Sequence, residues 1–584
     1  MSSPPTIDRV LALCEAQELL FAPRPARLAL TQAELPTDPQ APARRIRVWR
    51  NHAFEPLIEL MTPYLRFGRW TADFDIGDYD DSLMFAELPT LRPPDLHLLW
   101  LDNTRLLSKL ALADWLDWLS GRVRALRQAD AAPILIATWL APEQEAQARE
   151  RLLAQPGVQL ANLQPLCEQA GVPLLDARNA SWAGSPLSRL AQLQAARALA
   201  CHWLPALLLP PLKAIALDLD HTLYRGVLGE DGVRGVELSD AHRALQQRLL
   251  QWRERGIFLA LVSRNEAVDV RQLFDERQDF PLRWAHFSAT EIGWGDKSEA
   301  LARIAQQLRI GLDAMVYVDD NAGELAQVAS HHPQIRTLWA HADAAQTQAA
   351  LDLCPALWRW AVSDDDRKRV QDAQAQAERA ALQGQGEPDA EYYRSLQVSL
   401  ELRLDPAADL QRLADLCVKT NQFNLAMRRF NGAELQQHLQ APDSAVVSVR
   451  LADRLSDSGT IAVLVAQRNG PALDVLELCI SCRALGRRLE DSIVALALQQ
   501  MPQLADCESV RFRVEHGPRN QPAREWLGRW LGQAPEPGWH AVPAERLRAH
   551  RAPDGVTLLA PALPATSTVS ATCQDPLHEL PSSS

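Results

Sequence analysis

Ile-Ala-Leu-Asp-Leu-Asp-His-Thr-Leu, residues 215–223, runs an apolar strand straight into two carboxylates, Asp218 and Asp220. Side chains in a strand alternate faces, so positions two apart point the same way. At the end of the strand both carboxylates can turn toward one pocket. Two like charges held that close are costly unless a proton or a cation is shared between them. A bound Mg²⁺ would remove that cost and polarise a phosphate. One carboxylate can then attack phosphorus while the other moves protons.

Three further segments extend the pattern. Residues 257–263, Ile-Phe-Leu-Ala-Leu-Val-Ser, form a second apolar run, ending in the hydroxyl of Ser263. Lys297 follows Trp294-Gly-Asp and opens a helical stretch. Residues 315–321, Met-Val-Tyr-Val-Asp-Asp-Asn, form a third run, ending in Asp319 and Asp320. In open α/β sheets ligands sit beyond the carboxyl ends of the strands, where Asp218, Ser263 and Asp319 all fall. Strands are expected at Ala214–Leu217, Phe258–Val262, Met315–Val318 and near Ile335–Leu338. Helices are expected at Asp240–Arg255, Val268–Asp275, Lys297–Gln307 and Gly323–Ser330.

The order Asp-x-Asp, Ser, Lys, Asp-Asp resembles the four motifs of the haloacid dehalogenase (HAD) phosphotransferase superfamily. The extension Tyr224-Arg-Gly-Val-Leu-Gly-Glu-Asp-Gly232 and the distant Thr420-Asn-Gln-Phe-Asn-Leu425 are similar to the FkbH-like subgroup. The resemblance runs over residues 210–560 and is weak before them. It implies that Asp218 is a nucleophile forming an aspartyl phosphate. Asp220 would be general acid and then base, with its backbone carbonyl toward a metal. Ser263 would donate to a phosphoryl oxygen, and Lys297 would offset the crowded anions. Asp319 and Asp320, with Asp218, would hold Mg²⁺, which hard oxygen ligands favour. His221 stands where the family usually has Asn and reads as a tolerated turn residue. Residues 221–232 would form a flap over the nucleophile, with Arg225 placed to meet an anion or solvent.

FkbH-like proteins, by this resemblance, take 1,3-bisphosphoglycerate, remove phosphate and pass a glyceryl unit to an acyl carrier protein in polyketide or surface-polysaccharide assembly. In glyceryl-loading members a cysteine precedes the motif-two serine; here that position is Val262. Direct transfer, another acceptor and plain hydrolysis therefore stay open. The rival readings are a phosphatase of a small phosphorylated metabolite, an acyltransferase with a regulatory HAD part, and a non-catalytic carrier-protein adaptor.

The fold class expected is α/β and multidomain. A central HAD-like parallel sheet (211–355) is flanked by an SGNH-like α/β domain (1–210) and, after a helical linker (356–386), by a GNAT-like α+β domain (387–558), with a disordered tail (559–584). In the first unit, strand-like runs at Arg45–Trp49, Leu96–Leu101, Ile134–Trp139 and Val172–Leu175 alternate with helical stretches at Trp115–Gln128 and Pro142–Ala154. Its first strand leads into Arg50-Asn-His52 with no serine, and Asp176-Ala-Arg-Asn lacks the family's later Asp-x-x-His, so this unit reads as inactive and His52 as structural. Ser363 with three following aspartates reads as the cap of a solvated linking helix. Residues 458–498 resemble the GNAT acyltransferase core, whose turn binds the pyrophosphate of coenzyme A at a helix N-terminus. Arg483, Gly486 and Arg488 match that turn and imply phosphopantetheine or coenzyme A. Arg488 replaces a usually small residue. No chemistry attaches to Thr420-Asn-Gln-Phe-Asn.

Composition bounds the rest. A chain of 584 residues exceeds one core. Its apolar content of 47% and charged content of 23% are those of a soluble globular protein. A formal net charge of -13 leaves no basic footprint for nucleic acid. Apolar runs such as Leu204–Leu212 are short and broken by proline, so no membrane span is expected, and the N-terminus has no signal-peptide pattern. Nine cysteines, irregularly spaced, suit a reducing cytoplasm. Cys479 and Cys482, three apart in a strand, face opposite sides and read as neither a metal nor a redox pair.

Overall fold

The computed structural model describes residues 6–38, 41–84, 93–182, 184–383, 388–517 and 519–559. The expected tail beyond Leu559 lies outside the described residues. The chain is α/β and multidomain, built on three sheets.

The first sheet holds β1 (Ala43–Arg50), β2 (Thr71–Tyr79), β3 (Leu96–Trp100), β4 (Ile134–Thr138) and β5 (Val158–Asn162). They are all parallel in the order β2-β1-β3-β4-β5. Two of these strands escape a reading for apolar runs. β2 is an edge strand whose sequence is broken by Asp73, Asp75 and Asp78, and β5 is only five residues long. Conversely, Val172–Leu175 is not a strand. Pro173 has no N–H to give a ladder, and the segment makes only an isolated bridge, Leu175 to Leu187. His52 is buried at the end of β1, stacked on Trp100 at 5.0 Å, with its Nδ1 3.1 Å from Ser185 Oγ.

The second sheet holds β6 (Ala214–Leu217), β7 (Phe258–Ser263), β8 (Ala289–Ile292), β9 (Met315–Asp319) and β10 (Arg336–Trp339). All five are parallel, in the order β10-β9-β6-β7-β8, so β6 is central and flanked by β7 and β9. Every residue of β6, β7 and β9 is buried, as expected of strands covered on both faces. The chain's first helix, Thr6–Phe21, belongs to this layer rather than to the first sheet. Val10 and Cys14 are buried in the core of β6, β7 and β9, and the Gln17 amide pairs with the backbone of Trp339 through two 2.9 Å hydrogen bonds.

The third sheet is mixed. It contains β11 (Ser399–Leu404), β12 (Ser444–Ala452), β13 (Asp457–Asn469), β14 (Ala472–Ile480), β15 (Ser509–Val514), β16 (Gly538–Pro543) and β17 (Thr557–Leu559). The order is β16-β15-β14-β13-β12-β11-β17, with β14–β15 and β11–β17 parallel and the remaining pairs antiparallel.

The helix Asp364–Gln383 is capped by Ser363, whose Oγ accepts from the Asp366 N–H. Its polar sequence reads as solvated, but three of its charges are buried. Asp366 sits against Arg359, Arg369 and Lys419. Arg379 reaches Asp372 and Asp453, which Arg487 also bridges at 3.0 and 2.9 Å. Composition cannot show that charges on this helix find opposite charges on other units. Among the described residues no helix is long and apolar enough to cross a membrane.

Removing one partner of a buried ion network leaves the other charge uncompensated. Arg379→Met is therefore expected to cost about 3–5 kcal/mol in chemical denaturation. Asp453 is held below the usual carboxylate range: burial opposes this, but Arg379 and Arg487 outweigh it. Its folded value is the depressed one, so its stabilisation is full above the unfolded value of about 3.9 and is withdrawn as pH falls below it. The wild-type melting temperature should drop steeply below that pH, and Arg379→Met should flatten the drop.

Candidate active site

The carboxyl ends of β6, β7 and β9 meet at one edge, and each delivers a polar group there. Asp218 follows β6, Ser263 closes β7 and Asp319 closes β9. All three are buried, as is Lys297, the first residue of the helix Lys297–Gln307. Asp296 caps that helix by accepting from the Ser298 N–H at 2.7 Å, which aims Lys297 at the sheet edge. Lys297 Nζ donates to Asp218 Oδ1 at 2.6 Å and to Asp319 Oδ2 at 2.7 Å.

The carboxylate oxygens of Asp218, Asp319 and Asp320 lie within 4.8 Å of one another. One ammonium therefore pairs with two of the three carboxylates and leaves the charge unbalanced. Burial, and then the charge of Asp319, push the Asp218 carboxyl well above the usual range; Lys297 opposes the shift without cancelling it. Asp320 is raised by the same two causes. For Lys297, burial works against the charge, but Asp218 and Asp319 prevail and hold its pKa up. These are hard oxygen donors with excess negative charge, a set that fits Mg²⁺.

The carboxylate of Asp220 is not part of this cluster. It accepts from the Tyr224 hydroxyl at 2.5 Å, the Leu228 N–H at 3.0 Å and Asn265 Nδ2 at 2.8 Å. Its side chain is thus outside the metal-type group, and only its backbone carbonyl is left for the metal role expected of it. Burial and the Asp220 charge push the Tyr224 phenol up, so it stays a donor. Asn265 Nδ2 also lies 2.9 Å from Ser263 Oγ, linking Ser263 to Asp220. His221 has φ 53°, in the left-handed region that tolerates Asn and Gly best, and its Nδ1 accepts from the Gly226 N–H at 3.4 Å.

Tyr224, Asn265 and Tyr317 were not singled out from the sequence. Tyr317 donates to Asp319 Oδ2, whose other oxygen accepts the Asn321 N–H at 2.8 Å. Each stands two or four positions from an expected site residue, a spacing that places it on the same face or turn.

The segment expected as a flap, residues 221–232, belongs to a loop closed between Arg225 and Glu237. Arg225 and Glu237 exchange backbone hydrogen bonds at 2.9 Å, closing its base. Gly226 has φ 115°, and a side chain there would meet Asp231 Oδ2 at 2.7 Å, the oxygen that accepts the Val227 N–H. Arg225 and Glu237 are paired at 3.7 Å and exposed, so Arg225 faces solvent.

Arg483, Gly486 and Arg488 all fall in the turn between β14 and the helix Glu490–Gln499. Gly486 has φ 76°, as a tight turn requires. Arg483, however, is turned inward to the Thr460 carbonyl and Ser481 Oγ. The Gly486 N–H is taken by Glu490 Oε1 at 3.1 Å, and Arg309 of the second unit donates to the Leu485 carbonyl. Arg488 is on the exposed side. The turn expected to cradle a pyrophosphate is closed by the chain's own groups, and Glu490 and Asp491 occupy the helix N-terminus that such a ligand would need.

No family model and no curated protein matches the chain. Solved structures that match include the N-terminal part of a Bacteroides fragilis protein containing a phosphatase domain, complexed with Mg. It is 18% identical over 58% of this chain and 97% of that one, with a TM-score of 0.43. A hypothetical protein from Xanthomonas campestris is 19% identical over 25% of this chain and 84% of that one, with a TM-score of 0.18. At these values neither likeness bears on function, and the site geometry must.

Lys297→Met should strand two buried carboxylates, Asp218 and Asp319, and destabilise the metal-free protein by about 3–5 kcal/mol in urea melts. Asp320→Asn, which removes one of the competing charges, should cost far less or stabilise.

Proposed function

We propose that the chain is a Mg²⁺-dependent HAD-type enzyme that takes a phosphoryl group onto Asp218. The observation that carries this is Lys297 bridging Asp218 and Asp319, with Asp320 beside them, at the edge where three parallel strands end. Asp218, Asp319, Asp320 and the Asp220 carbonyl would hold the metal, which when bound neutralises phosphate and carboxylate charge.

Asp218 Oδ attacks phosphorus, forming a P–O bond as the bond to the leaving oxygen breaks. Asp220 gives that oxygen its proton. The same carboxylate then takes a proton from the incoming nucleophile, water or an acceptor, as the aspartyl phosphate is cleaved. Tyr224, Leu228 and Asn265 fix Asp220 at the flap's root. Ser263 donates to a phosphoryl oxygen, and Lys297 holds Asp218 in line while offsetting developing charge. The flap excludes bulk water and so biases the choice between hydrolysis and transfer.

For the finer reading, the substrate is a phosphoglycerate-type acyl phosphate such as 1,3-bisphosphoglycerate: Asp218 removes the phosphoryl group of the C3 ester, while the phosphopantetheine thiol of an acyl carrier protein attacks the C1 carbonyl, forming the thioester as the bond to the acyl phosphate oxygen breaks and phosphate leaves. Val262 lies in β7 immediately before Ser263 and offers no thiol, which favours transfer without a glyceryl-enzyme there. The alternative is a phosphatase of a small phosphorylated metabolite.

The protein, Mg²⁺, freshly generated 1,3-bisphosphoglycerate and a holo carrier protein should be incubated together, with phosphate release and carrier mass followed in parallel. Mg²⁺-dependent phosphate release that falls at least ~10³-fold in Asp218→Asn is expected. A glyceryl adduct on the carrier would support transfer, and an unmodified carrier with phosphate released would support hydrolysis. Phosphate release that is unchanged in Asp218→Asn would overturn both.

A further inference from the structure

The opposite, amino-terminal edge of the second sheet borders a cleft shared with the third unit. Lys213, just before β6, and Arg309, in the loop before β9, line it from one side. The helix Asp364–Gln383 contributes Arg369, and the third unit contributes Arg412, Lys419, Arg483 and Arg519. Asp313 is the one carboxylate among the described lining residues. This concentration of positive charge stands out in a chain of formal net charge -13.

Structural pairing accounts for part of it. Arg519 pairs with Asp313, Arg369 with Asp366, and Lys419 with Asp366 and Asp415. Lys213 and Arg309 instead give hydrogen bonds to main-chain carbonyls, those of Lys419 (3.2 Å) and Leu485. A carbonyl satisfies a donor but does not neutralise a charge. Burial pushes the Lys213 ammonium below the ordinary lysine range, with Arg369 and Arg359 adding to the effect against Cys482 and Asp313. An anion in the cleft would relieve that cost.

The neutral lining matters equally. Thr420, Asn421 and Gln422, the start of the motif to which the sequence assigned no chemistry, stand beside Ser481 and Cys482. They supply hydroxyl and amide groups among the cations. The interior volume is about 50 Å³. On the same measure a water needs roughly 10–15 Å³, so a phosphate-sized group fits and a nucleotide does not. Several cations around one small space favour a multiply charged oxyanion over a carboxylate, and guanidinium forks match phosphate geometry.

We propose that this cleft binds the phosphate group of a small phosphorylated ligand, with Lys213 and Arg309 as charged partners and Thr420 and Asn421 as neutral ones. The bound group would tie the second and third units together at the sheet edge remote from Asp218. The proposal is independent of the chemistry assigned to Asp218, so the two can fail separately. The phosphate can come from a free metabolite or from a phosphopantetheine arm.

Cys482 provides the readout. It is half-buried in the cleft, whereas every other described cysteine is buried. Iodoacetamide labelling of the full chain, followed by peptide mass mapping, reads the Cys482 rate directly. Inorganic phosphate and 4′-phosphopantetheine are compared with sodium chloride at matched ionic strength, and melting temperature is measured alongside. Both phosphates should slow Cys482 labelling and raise the melting temperature beyond the chloride control. Lys213→Ala or Arg309→Ala should weaken that protection roughly tenfold. Tighter binding of phosphopantetheine would identify the arm as the source, and equal binding a free phosphate group. If chloride protects equally, or if an Arg309→Ala protein that melts like wild type is protected as well as wild type, the proposal is overturned. Arg309 is on a loop, so this variant keeps the test decisive should Lys213→Ala fail to fold.

Discussion

Three carboxylates and one lysine share the buried edge where β6 and β9 end, and the charge there does not balance. In a low-dielectric setting that imbalance has three outlets: a retained proton, a bound cation, or a network of fixed donors. The fold prepares for all of them. Lys297 is aimed by the Asp296 cap, Asp319 is saturated by Tyr317, Lys297 and the Asn321 amide, and Asp218 is held with a raised affinity for a proton. Asp220 is moved out of the cluster into a separate set of donors. Two carboxylates two residues apart thus acquire different surroundings, which is what separate nucleophile and acid–base roles need.

That division explains why the site was largely legible in the sequence. Asp218, Ser263, Lys297 and Asp319 each follow or open a periodic segment, and a parallel sheet brings strand ends together. The neutral partners were not legible as chemistry. Tyr224, Asn265 and Tyr317 are ordinary residues until the backbone places them against a carboxylate, although their spacing from Asp220, Ser263 and Asp319 is a usable signal. In the fold, apolar runs located β6, β7 and β9, while the acidic edge strand β2 and the short β5 and β8 fell below that signal. Pro173 reversed one assignment. The buried charges of Asp364–Gln383 were hidden because a sequence shows charge but not the partner that neutralises it.

The same sheet has two electrostatic ends. Its carboxyl edge gathers Asp218, Asp319 and Asp320, and its amino edge gathers Lys213 and Arg309 with cations of the third unit. Charged seams join the units: Arg309 reaches the Leu485 carbonyl, and Arg379 and Arg487 share two buried aspartates. Buried ion pairs of this kind contribute little net stability over apolar packing but are strongly destabilising to break. They therefore fix how the units meet.

The most direct test of the account is an acid-quenched single turnover with Mg²⁺ and 1,3-bisphosphoglycerate labelled in both phosphoryl groups, followed by mapping of any label on the protein. The account predicts a hydroxylamine-labile phosphoryl group on the peptide carrying Asp218, absent in Asp218→Asn and without Mg²⁺. Turnover that leaves no label on Asp218 at any quench time, or label that persists in Asp218→Asn, would contradict it.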